Sequence, residues 1–370
     1  MNTSSTSQPI DVQSPAFSFT NRILSAQLMG VSEQNGKTTL TPSSVNPESN
    51  GYQSPYQLSF NFSWADLVSG LTQTPFTEWQ QEGNPNYFKN IPQDWFDPSI
   101  YKENASNWQQ VGSLSWGPGP GYYPQPTPPS DVTNSTEWRL QRLVAVAASM
   151  IGYGYLHHHI PDWNPGQNWY TAINITPTDQ LVGQGLDCSD YTSWLHNYGL
   201  GIYLDTDVAN QGAMVPGAKL GATAIIANNS NPSFTVTRIA DASMDYETLR
   251  QTLQTGDLLY IAGGVAESKT AIQNALAANQ ADPGTSSTPL PAITHVIMWL
   301  GNVGVSNGSI PLVTDSHGGE VMDENGVLVP TGIQVRPFNN SGSGSNPNIP
   351  TPETSPSWYF DHFLWALRIS

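Results

Sequence analysis

Apolar residues recur at helical spacing through "STEWRLQRLVAVAASMIGYGYL", which starts at Ser135. The Ser/Thr opening with Glu137 close behind predicts a helix N-terminus there. A second helical pattern, "SDYTSWLHNYG", opens at Cys188 and ends at Gly199 and Gly201. "DYETLRQTL" reads as helix and leads through a Gly-Asp turn into a buried strand, "LLYIAGG". "SKTAIQNALAANQ" is a helix-like insertion. The period then changes: "FTVTRIA" (234–240), "ITHVIMWLGNVG" (293–304), "IPLVTDSHGG" (310–319) and "GIQVRPF" (332–338) read as strands. Helices largely come first and strands after, which predicts an α+β fold with an antiparallel sheet.

Upstream the texture differs. Residues 1–20 are polar, with the character of a flexible terminus. Residues 21–116 alternate short apolar runs with Asn, Pro and Gly clusters. Within them "YQLSFNF" reads as a strand and "SWADLVSGL" as a short helix capped by Ser63. Residues 117–136 ("GPGPGYYPQPTPPSDVTNST") carry enough Pro and Gly to act as a linker. The expected organisation is therefore an N-terminal module of unknown role over 21–116, a linker, and a domain over 137–370. The module is either a small binding unit or an extension packed on that domain.

Composition narrows the function classes. Charged residues are 11% of the 370, and 29 acids against 12 bases give a formal net charge of −17. Such a surface repels phosphate backbones and anionic headgroups, so nucleic acid is not an expected partner. No apolar run reaches the roughly 18 residues of a membrane span, so no membrane insertion is expected. The opening "MNTSSTSQPIDVQS" has neither a basic stretch nor an apolar core of a leader. The acidic, lysine-poor composition leans towards a periplasmic or secreted protein.

The single cysteine, Cys188, cannot close an internal disulfide or build a multi-cysteine zinc site. It is either a small buried apolar residue or a nucleophile. A helix N-terminus favours the thiolate, and turn-forming Gly183 and Gly185 before a helical pattern put Cys188 at one. A base is needed as well. His295 lies in the apolar strand "ITHVIMW", where a lone His can equally be a core residue. His317 lies on the next strand, and Asp315 shares its strand parity, so either could orient His295 as third member of a triad.

"LDCSDYTSWLHNYG", "LQTGDLLYIAGG", "ITHVIMWLGN" and "TDSHGG", in this order, resemble the segments of the NlpC-like cysteine peptidases. These are papain-type α+β domains, N-terminal helices packed on an antiparallel sheet, that cut bacterial cell-wall peptides. That family presents Asp-Cys-Ser at a helix start, a Gly-Asp turn into a strand, a His strand, and a third polar residue on the strand after. "ASMIGYGYL" resembles its preceding helix end, and "WYFDHFLWALRI" its closing strand. The resemblance covers roughly residues 138–370.

The resemblance implies Cys188 as nucleophile, His295 as base and His317 as its orienting partner, with Asp315 the alternative. Tyr155 and the Cys188 backbone N–H would hold the oxyanion, and Asp187 and Ser189 the free amino end of the substrate. It implies a hydrolase of peptidoglycan stem peptides, most often at the D-γ-glutamyl–diamino-acid bond, that needs no cofactor or metal. Expected partners are the wall peptides and an inhibitor or immunity protein. Alternatives are an amidase or acyltransferase on a non-wall substrate, and an inactive wall-binding protein.

The chain departs from the family at Asp190, where Gly is usual, in "IYLDTDVANQ", which lacks an Arg, and in three insertions. These bear on substrate choice, with Asp190 a candidate contact. "YLHHHIPDWNP" invites a metal reading through His157–His159 with Asp162, but on a strand His158 points away from its neighbours. His158 and Trp163 are read instead as lining the substrate cleft.

Overall fold

A computed structural model describes residues 31–42, 52–70, 125–148, 151, 155, 187–205, 207–217, 219–228, 231–263, 268–281, 288–305, 310–341 and 347–370. The terminus 1–20, the His157–His159 run with Asp162, Trp163, Gly183 and Gly185 lie outside these residues, as do residues 117–124 of the linker.

The described strands form a mixed helix–sheet fold whose sheets are antiparallel. The main sheet has seven strands: β4 (Thr223–Asn228), β5 (Asn231–Asp241), β6 (Leu258–Ala262), β7 (Ile293–Trp299), β9 (Leu312–His317), β12 (Gly332–Pro337) and β13 (Phe363–Ile369). Their spatial order is β12-β9-β7-β6-β13-β5-β4. The continuous apolar run "LLYIA" is β6, central and buried at every position. Each buried Leu or Ile side chain there stabilises the fold by roughly 1.5–3 kcal/mol.

Helix α2 (Ser135–Ala148) packs on α3 (Cys188–Leu200), and α3 packs on β7 and β9. All of α3 is buried, so it is the centre of the core rather than a surface helix. Gly201, at φ 66°, supplies the left-handed C-cap. Short helix α4 (Val208–Gly212) braces α3 through Gln211. Helices α5 (Tyr246–Thr252) and α6 (Lys269–Ala281) lie where the pattern put them, Asp245 capping the first.

A second sheet, order β1-β2-β3-β8, joins β1 (Val31–Gln34), β2 (Lys37–Leu40) and β3 (Gln57–Phe60) to β8 (Gly304–Val305). Ser63 caps α1 (Trp64–Leu67), its Oγ accepting from the Asp66 N–H at 3.1 Å. Arg142 fastens this region to α3. Arg142 is 2% exposed, and its guanidinium donates to Leu67 O (2.8 Å) and Gly199 O (2.7 Å), near two helix C-termini, and to Ser69 O (2.7 Å) just past the first.

Several elements differ from the pattern reading. Gly199 is inside α3 rather than at its end. β7 stops at Trp299, after which Gly301–Val303 form a 3₁₀ turn. The closing segment begins not as a strand but as a helical turn, α7 (Trp358–Asp361), before β13. A strand would send Trp358 and Tyr359 to opposite faces, whereas the turn lets both rings meet His295 and His317. The Asn35–Gly36 hairpin, with φ 54° and 73°, and the small β10 (Val321–Met322)–β11 (Leu328–Val329) ribbon were not picked out.

Candidate active site

Asp187 is the N-cap of α3. Its Oδ1 accepts from the Asp190 N–H at 2.9 Å and from Ser189 Oγ at 3.1 Å. Cys188 is therefore the first residue of a capped, buried helix, in the position the sequence predicted. The first turn is held from below by Gln211. Its Oε1 accepts from Thr192 Oγ1 (3.1 Å) and Tyr260 OH (3.2 Å), and its Nε2 donates to Asp205 O (2.9 Å). Gln211 thus ties the segment after α3 back to the helix that carries the thiol.

The Cys188 sulfur accepts the backbone N–H of Val296. This sets the thiol against β7, one residue along from His295. The helix end alone would lower the thiol's pKa, but the opposite holds. Burial first, and the Asp187 carboxylate second, push it well up, and the Val296 N–H only partly opposes them. Cys188 rests as a neutral thiol.

His295 and Asp315 meet. β7 and β9 pair through Met298↔Thr314 and Trp299↔Val313. Carried along the strands, this register sets His295 opposite His317, with Asp315 two residues back on the same face. His295 Nε2 lies 2.7 Å from Asp315 Oδ2. Asp315 also accepts from Arg336 Nε (2.9 Å) and Tyr359 OH (2.6 Å). Burial alone would raise this carboxyl, but Arg336 and the hydrogen bond from His295 outweigh it and keep Asp315 ionised. An ionised acceptor fixes the proton of His295 on Nε2 and leaves Nδ1 as the basic nitrogen.

His317 takes a different place. Its ring stands edge to face with His295, centroids 4.7 Å apart, and no hydrogen bond joins the two. Its Nδ1 sits beside Gly319, and its Nε2 lies 3.2 Å from Glu353 Oε1. Burial, with His295 and Arg336 nearby, pushes it down to about 3, so it is neutral and the Glu353 contact is not an ion pair. The residue that holds His295 by a hydrogen bond is Asp315.

Tyr155 packs on Gly318. A Cβ there would come within 2.9 Å of the tyrosine ring, so Gly lets the ring lie against the end of β9. Burial, then Cys188, Asp187, Asp190 and Glu353, raise the Tyr155 hydroxyl's pKa. It is a neutral donor within the field of the thiol. Asp190 is buried in the first turn of α3. His158 and Trp163 are not among the described residues.

His295, Asp315 and His317 offer ligand atoms within 4.8 Å of one another, so by residue type they could hold a metal ion. Their bonding suits another task. Asp315 already accepts three donors, one of them the Arg336 cation, and a metal would have to displace His295's proton.

Three members of the cluster escaped sequence reasoning. Arg336 had a signal, being the lone charge in a strand otherwise fit for burial. Tyr359 was hidden in a segment read as strand. Glu353 lies in a Pro/Ser-rich loop with none.

No family model matches the chain, and no curated protein matches it. Among solved structures, the crystal structure of an NlpC/P60 family protein from Bacillus cereus is similar to it, with a TM-score of 0.30 and 13% identity. The match covers 68% of this chain and 43% of that one, so it spans less than half of that protein's length.

Proposed function

We propose that this chain is a cysteine amidohydrolase of the NlpC-like, papain-type class, acting on stem peptides of the bacterial cell wall. The observation that carries the reading is the His295–Asp315 pair on the strand whose Val296 N–H caps the Cys188 thiol. A base with one nitrogen anchored on an ionised carboxylate, beside the only thiol of the chain, is the arrangement that nucleophilic acyl transfer requires. The order of segments that resembles the family supports the substrate class and, within it, the D-γ-glutamyl–diamino-acid bond. Such a substrate implies work in the periplasm or outside the cell.

In this mechanism His295 Nδ1 takes the Sγ proton as the sulfur attacks the substrate's amide carbonyl. The C–S bond forms, and the oxyanion is met by the Cys188 N–H and the Tyr155 hydroxyl. Asp315 steadies the imidazolium. That imidazolium then gives its proton to the departing amine, the C–N bond breaks, and a thioester remains. His295 next deprotonates a water that attacks the thioester, releasing the acid and restoring the thiol. Because the resting thiol is neutral, proton transfer and attack proceed together rather than from a stored ion pair.

The test is digestion of purified peptidoglycan sacculi by wild type and Cys188→Ala, with products resolved by mass spectrometry. New muropeptides are expected from the wild type alone, and their masses identify the bond. Equal products from both proteins would remove Cys188 from the chemistry.

A further inference from the structure

Residues 347–357 form a strap along the edge of the cluster, tied down at three points. The Thr270 N–H donates to Pro347 O (3.1 Å), Thr351 Oγ1 to Asp361 Oδ2 (2.8 Å), and the Met322 N–H to Thr354 O (3.1 Å). Between the last two ties the strap presents Glu353, whose side chain is 57% exposed yet brings Oε1 to 3.2 Å from His317 Nε2. Gly319 leaves it the passage, since a Cβ there would stand 3.3 Å from that oxygen.

The surroundings of His317 leave its tautomer open without Glu353. Nδ1 lies 3.1 Å from the N–H of Gly319 and 2.8 Å from its C=O. An unprotonated Nδ1 accepts from the first and a protonated one donates to the second. A neutral ring has one proton to place. A carboxylate oxygen at 3.2 Å from Nε2 is favourable only when the proton is there, because a bare lone pair would face a negative charge.

We propose that Glu353 is a positioning residue: it holds the proton of His317 on Nε2 and turns that ring away from Asp315, so that of the two histidines only His295 uses the Asp315 carboxylate. The competition is real in distance, because a ring nitrogen of His317 lies within 4.8 Å of an Asp315 carboxylate oxygen. With Glu353 gone, the proton moves to Nδ1 on Gly319 O, and the loosened ring can swing into the carboxylate. His295 then loses its anchor for part of the time. The kinetic consequence rests on the catalytic reading of His295, whereas the tautomer does not.

The experiment uses the full chain labelled with ¹⁵N-histidine, the ring-nitrogen shifts of His317 being assigned by their loss in His317→Asn. Wild type should show a protonated Nε2 and a bare Nδ1. Glu353→Ala should move the proton to Nδ1, and Glu353→Gln, whose side-chain carbonyl still accepts, should keep the wild-type pattern. On wall peptides Glu353→Ala should lower kcat on the order of tenfold with KM nearly unchanged, Glu353→Gln should recover it, and the Ala effect should vanish in a His317→Asn background. A wild-type ring protonated on Nδ1, or shifts unmoved by Glu353→Ala, overturns the proposal. A wild type that cleaves no wall peptide counts against the peptidase reading alone, and the shifts still decide the role of Glu353.

Discussion

His295 and Asp315 are diagonal neighbours across β7 and β9, and their side chains close the 2.7 Å between Nε2 and Oδ2 along that diagonal. His317, which the β7–β9 register carried along the strands sets opposite His295, packs against the ring without a hydrogen bond to it. Two residues of one strand thus divide the work. One supplies charge and a proton acceptor, the other a wall.

Asp315→Asn should therefore cost more activity than His317→Ala. An amide NH₂ facing Nε2 favours the proton on Nδ1, the nitrogen that accepts it from sulfur in the proposed mechanism. A fall in kcat of about 10³–10⁴-fold is expected for Asp315→Asn. Side-by-side kinetics on one purified wall peptide decide the order; a larger loss in the His317 variant would reverse the assignment.

Arg336→Met should destabilise the fold by about 3 kcal/mol, because it leaves a buried carboxylate without its cation. Arg336 also donates to Val329 O (3.1 Å), Pro330 O (2.6 Å) and Gly332 O (3.2 Å), so those carbonyls lose their donor as well. Urea unfolding at neutral pH gives the number. An unchanged midpoint would mean that water replaces the guanidinium at no cost.

Acid should weaken the protein well before its carboxylates titrate. His196, buried and donating from Nδ1 to Thr192 O, is pushed down to about 4 by burial, and His317 to about 3. Unfolded histidines take up protons near the ordinary 6.5 while the native rings do not, so stability falls as pH drops from there towards about 4. Each ring contributes a slope of about 1.4 kcal/mol per pH unit over its window. Asp315, held low, adds its own loss only below its ordinary 3.8. Unfolding curves between pH 7 and 4.5 should show the slope, and His196→Asn should remove its share. A flat profile would contradict the burial of both rings.

Gly318→Ala should act through Tyr155. The added methyl meets the ring at 2.9 Å, and the ring must shift or the β9 end must give. A loss of roughly 1–3 kcal/mol is expected from the overpacking alone. Measured kcat should fall further than in Tyr155→Phe if the displaced ring also disturbs His317, and equal values would confine the effect to the hydroxyl.

Much of this architecture was written in local patterns. The Ser63 cap, the Cys188 helix start, the Gly-Asp turn into β6 and the strands bearing His295 and His317 each rest on interactions within a few residues. Asp315 was visible by parity, but choosing between it and His317 needed the diagonal, which depends on strand twist and side-chain reach. Arg336, Tyr359, Gln211 and Glu353 come from distant segments, and no spacing rule connects them to the thiol. The sign of the Cys188 shift was missed for a similar reason: the helix end is a local feature, while burial and the Asp187 field depend on what the fold closes over it.

Arg142 gives the N-terminal third a different standing from that of an appendage. Among the described residues its guanidinium donates to carbonyls alone, borrowed from the end of α1 and the residues just after it and from the far end of the helix that begins with the thiol. Trimming the chain to residues 137–370 would take away two of those three oxygens and uncover the β8 edge that β3 occupies. The smaller protein would keep its thiol but leave a cation stranded at the foot of the helix that the thiol opens.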